Sequence, residues 1–97
     1  MVPAMRNCAS YFKLLDPRGL MVSGSPRLAD IETRRASLIF ETELRLDCER
    51  RSLAQDLGYL VLPKYRAASI RLARRRIAPL KAEINHWKTA TVERVVI

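Results

Sequence analysis

Ile70, Ala73, Ile77, Leu80, Ile84 and Trp87 recur at alternating steps of three and four, a spacing that fits one edge of an α-helix and is incompatible with the period of two of a half-buried strand. Arg71, Arg74, Arg75, Arg76, Lys81 and Lys88 fill the positions between them. A helix over 63–93 is thus predicted, apolar along one edge and cationic over the rest. Pro63 suits its first turn, where the missing amide hydrogen costs no bond. Pro79 removes an internal bond at a cost of about 3 kcal/mol, so a kink near Arg75 to Ala78, or two shorter helices meeting there, is expected.

A second long helix is predicted over 26–57. Ser25-Pro26 reads as its start, with a serine oxygen facing free first-turn amides and proline just inside. Leu28, Ile31, Leu38, Ile39, Leu46, Leu53 and Leu57 then cluster on one side of a helical wheel, and Gly58 is placed to close the run with a left-handed cap. Asp30 with Arg34, Glu41 with Arg45 and Asp47 with Arg51 are acid-before-base pairs that add a few tenths of a kcal/mol each. Phe40, Leu44 and Cys48 form a second apolar line almost opposite the first. Two lines require two neighbours: either the N-terminal segment covers the second within the molecule, or another chain docks on it.

At the N-terminal end, Cys8, Tyr11, Phe12 and Leu15 match helical spacing, giving a short helix over 5–15. Asp16-Pro17-Arg18-Gly19 ends it with the residues of a type I turn, and Leu20 to Gly24 follow as an extended connector. The fold expected is all-α: two long helices of about equal length, about 47 Å at 1.5 Å per residue, joined by the short Tyr59-Leu60-Val61-Leu62 linker as an antiparallel hairpin, with the short helix folded across it. The apolar end formed by Val92, Val95, Val96 and Ile97 should dock rather than stay in water.

With 97 residues the chain makes at most one small helical domain, covering 1–97, which is expected to borrow buried area from a partner. Its net charge of +8 is unevenly placed: 1–26 contribute +2, 27–57 contribute −1 and 64–94 contribute +7. Such a field points to a polyanion, RNA first, with DNA or anionic lipid behind it, and the competing reading is a merely solvated face. Cys8 and Cys48 lie far apart with no CxxC spacing and His86 is the only histidine, so no zinc site can be assembled within one copy and no metal or cofactor is expected. Both cysteines read as small buried hydrophobes of a reducing intracellular compartment, a disulfide between them being the alternative. No stretch approaches the length of a bilayer span. Residues 1–15 carry Arg6 and Lys13 and no acid, which weakly resembles an organelle transit peptide such as a mitochondrial one, but the segment is expected to stay uncleaved.

The strongest functional candidate is the Arg71, Arg74, Arg75, Arg76 cluster, with Lys81 and Lys88, because guanidinium forks match phosphate oxygens and keep their charge at any physiological pH. Phe40, Leu44, Ile77, Leu80, Ile84 and Trp87 are the candidate partner-packing residues, the line on the last helix packing against the central helix or against a different chain. Trp87 belongs to that apolar edge, which assigns it to a core with His86 on the solvent side. No GxSxG, HExxH, P-loop or GxGxxG pattern is present, and one histidine with no cysteine near it leaves acid–base and nucleophilic catalysis without a home. The chain therefore reads as a non-catalytic subunit of a larger assembly, an organellar ribosome or other ribonucleoprotein. The alternatives are an interaction subunit of a respiratory or ATP-producing membrane complex and a dimeric DNA-binding regulator.

Overall fold

The computed structural model describes residues 10–96. They form β1 (Ser10–Leu15), β2 (Met21–Ser25), α1 (Leu28–Tyr59), α2 (Pro63–Thr89) and β3 (Val92–Val96). The chain divides into two compact units, one holding the residues up to Leu38 and from His86 onward, the other Ile39–Asn85. Each helix contributes to both.

The first unit is built on a three-stranded antiparallel sheet of order β2-β1-β3. Leu14 pairs with Ser23 on one side and Val92 on the other, while Phe12 pairs with Ser25 and Arg94. Because successive strand residues face opposite ways, Phe12, Leu14 and Val92 share one face. That face meets Ile31, Leu38, Trp87 and Ala90, and Leu14 and Ile31 are wholly buried there. On the other face Lys13 lies across from Glu93 and its Nζ sits 5.8 Å from the Tyr11 ring centre. The turn between β1 and β2 is tied by Asp16, whose carbonyl accepts from Gly19 N at 2.8 Å and whose Oδ1 accepts from Arg18 N and Leu20 N at 2.9 Å. Gly19 carries the turn through a φ of 85°.

In the second unit the helices run antiparallel, as the partners show: Leu57 with Arg66, Asp56 with Ser69, Glu49 with Arg76. Rising numbers on α2 meet falling numbers on α1. Leu46 and Ala73 are buried in this unit, and Leu53, Leu57, Ile70 and Ile77 are half-buried, so the apolar edges predicted for the helices are the edges that pack.

The all-α expectation is overturned. Residues 10–15 of the expected 5–15 helix are strand, and residues 5–9 lie outside those described. The Asp16 to Gly19 turn does form, but it joins two strands, because a type I turn followed by a left-handed glycine is also a common hairpin connection. The segment read as a connector is β2, and Val92, Val95 and Val96 lie in β3, docked against β1 rather than continuing the helix to 93. α2 carries on through Pro79 as one helix, not two.

Helix ends also differ from expectation. α1 starts at Leu28; Ser25 Oγ still accepts from a nearby amide, Arg27 N at 3.2 Å, and itself donates to Asp30 Oδ2 at 2.7 Å. Gly58 lies inside the helix without a positive φ, so it is not a left-handed cap. Arg66 does the capping instead: its guanidinium donates to Leu57 O at 2.6 Å and Leu60 O at 3.0 Å, satisfying carbonyls that a helix terminus leaves open. Arg35 does the same for α2, donating to Ala90 O at 2.7 Å and Lys88 O at 3.4 Å. Of the predicted helical ion pairs Asp47 with Arg51 is made at 2.8 Å, whereas Asp30 pairs with Arg27 at 3.1 Å.

Candidate polyanion-binding face

The long uninterrupted α2 fixes where its basic residues point. Helical geometry assigns Ala73, Ile77, Leu80 and Ile84 to the packed edge, and Arg71, Arg74, Arg75, Arg76, Lys81 and Lys88 are all exposed. Arg71 and Arg75, one turn apart, line an open depression of about 510 Å³ together with Ala68 and Leu72. Positions four apart on a helix lie about 5–6 Å from each other, a separation at which two guanidinium groups can bracket one phosphate.

Internal neutralisation is slight. Among the described residues Arg76 meets Glu49 at 3.8 Å, a loose pair, while Arg71, Arg74, Arg75, Lys81 and Lys88 have no carboxylate within ion-pair distance. From Leu57 to Ala82 the sequence holds seven bases and no acid. Close like charges without counter-charges repel one another in the free protein, and an anionic partner relieves that repulsion.

The candidate packing residues divide. Ile84 is buried, Ile77 and Leu80 half-buried, and Trp87 joins the core of the first unit, where His86 meets it edge-on at 5.7 Å between ring centres. His86 is half-buried rather than on the solvent side. Phe40 and Leu44 are 62% and 50% exposed, and Cys48 is exposed and free among the described residues, against the expectation of a buried thiol. Phe12, one of the N-terminal aromatic residues expected to cover this line, packs with Leu14 and Ile31 within the first unit. Leu44 and Cys48, with Arg45, Glu49, Arg76 and Leu80, line a wide, largely apolar groove of about 530 Å³.

Two carboxylates are held below the ordinary aspartate range. Asp16 is lowered chiefly by the Leu20 amide and then by Arg18; Asp30 is lowered chiefly by the Ser25 hydroxyl and then by Arg27, with partial burial opposing in both. Both brace turns rather than a site. Among the described residues no group of three or more His, Cys, Asp or Glu could hold a metal ion, and no helix is long and apolar enough to cross a membrane. Arg35 and Arg66 escaped the sequence reading; the available signal was a base near each helix end, and only the fold shows which carbonyls it reaches. Neither a family model, nor a curated protein, nor a solved structure matches the chain.

Proposed function

We propose that the protein is a non-catalytic structural subunit of a larger assembly and contacts RNA through the outer face of α2. One observation carries the reading: Arg71, Arg74 and Arg75 stand exposed on α2 with no carboxylate partner among the described residues, two of them over a common depression. Guanidinium groups so placed bind phosphate oxygens without choosing a base sequence. A subunit that clasps an RNA backbone in a ribonucleoprotein needs no more. The test replaces Arg71, Arg74 and Arg75 with glutamine and measures RNA retention against salt. For a single-stranded RNA the log-log salt slope should fall in magnitude by about 2, since each lost phosphate contact removes about 0.7. RNA binding that survives the triple substitution unchanged would overturn the reading.

The apolar groove at Leu44, Cys48 and Leu80 favours a second reading, that of a helical interaction subunit docking on another protein. Such docking should barely respond to salt and should be lost on replacing Phe40 and Leu44 with aspartate, with RNA retention unaffected.

A further inference from the structure

The end of the hairpin in the second unit displays an apolar cluster. Tyr59 is 77%, Val61 85%, Leu62 53% and Tyr65 51% exposed. Soluble chains rarely gather large apolar side chains at one solvent-facing spot without a use for them. Several carbonyls at the turn are satisfied: Asp56 O accepts from Leu60 N at 2.9 Å, Leu57 O and Leu60 O accept from Arg66, and Leu62 O accepts from Tyr65 N and Arg66 N, both at 3.1 Å. Carbonyls paired in this way do not oppose entry into a medium of low polarity. Around the cluster bases outnumber acids, Lys64 and Arg66 standing against Asp56, and Lys64 lies with its Nζ 5.0 Å from the Tyr65 ring centre.

We propose that this turn is a membrane-surface contact, with Val61 and Leu62 entering the outer acyl layer of an anionic bilayer, Tyr59 and Tyr65 at headgroup depth, and Lys64 reaching back to lipid phosphates. The chemistry fits that occupant on three counts: apolar side chains at an outermost turn, tyrosines with an apolar body and a polar tip, and an exposed lysine beside them that anionic headgroups attract. Since no helix among the described residues is long and apolar enough to cross a bilayer, the contact is peripheral. It is independent of the RNA reading, because Val61 and Leu62 take no part in the arginine face.

The full chain is tested by flotation with vesicles of phosphatidylcholine alone and of phosphatidylcholine with phosphatidylserine. Wild type should float with the anionic vesicles and far less with the neutral ones. V61D/L62D should bind the anionic vesicles at least about tenfold more weakly, the loss expected when one or two aliphatic side chains no longer leave water. Its melting temperature and RNA retention should match wild type, since both positions are exposed. V61W, read against wild type whose single tryptophan is Trp87, should gain a blue-shifted emission quenched by brominated acyl chains. Flotation of V61D/L62D equal to wild type, absence of that quenching, equal binding to neutral vesicles, or no flotation of wild type at all would each overturn the proposal, the last by leaving the patch to a protein pocket.

Discussion

Two glycines of this chain do opposite things. Gly19 holds a φ of 85° with nothing within 4 Å of the place a Cβ would occupy, so its requirement is conformational, not steric. Gly58 has equal space, but its backbone is helical and its φ is not positive. Alanine at 19 should therefore cost about 1–2 kcal/mol, the penalty of a left-handed L-residue. Alanine at 58 should add about 0.4–1 kcal/mol by trimming the freedom of the unfolded chain and raising helix propensity. Urea unfolding of the two variants checks both signs. A destabilised G58A would mean that position 58 has the left-handed capping role suggested by its place in the sequence. That suggestion failed for a local reason: glycine near a predicted helix end is a cap only where no side chain closes the terminus, and Arg66 closes this one.

At the scale of elements, the long helices were legible and the strands were not. A three-and-four spacing carried over Ile70 to Trp87 is a local pattern, and it picked out the edge that packs. β1 is six residues, and its alternation, with Phe12 and Leu14 inward and Tyr11 and Lys13 outward, overlaps the helical spacing of Cys8, Tyr11, Phe12 and Leu15. Its deciding partner, Val92–Val96, is at the other end of the chain, and non-local pairing leaves no local trace. The valines of β3 did favour a strand by their branching, and their need for cover was readable even though their partner was not. The basic face was legible because exposure follows from helical period; Arg35 and Arg66 were missed because a cap depends on what lies across from it. The first unit's turns also carry a pH signature. Asp16 and Asp30 have folded pKa values lowered from the ordinary 3.8, so their contribution to stability is full above that value and is lost as pH falls through the lowered ones. Unfolding midpoints should therefore drop as pH falls from about 5 through the lowered values, and D16N/D30N should show a shallower drop over the same range. Parallel pH curves for variant and wild type would show that neither carboxylate is linked to folding.

For the molecule as a whole, salt should act in two directions at once. The net charge is +8, and the only acids between residues 64 and 94 are Glu83 and Glu93, against nine bases. Screening of that repulsion should stabilise the fold, since the Debye length shrinks from about 10 Å at 0.1 M to about 3 Å at 1 M. The ion pairs among the described residues that salt would weaken are exposed on at least one side, and such pairs contribute little each. Raising sodium chloride across that range should increase the melting temperature, each 1 kcal/mol gained appearing as about 4–8 °C in a chain of this size. R71Q/R74Q/R75Q should start higher at low salt and rise less, because the substitutions remove the repulsion that salt would otherwise screen. RNA affinity should fall over the same titration as counterions compete for phosphate. A fold strengthened while binding weakens separates loss of contact from loss of structure. A wild-type melting temperature that is flat or falls with salt would show that the arginine face is not self-repelling, and the case for an anionic partner would lose its electrostatic basis.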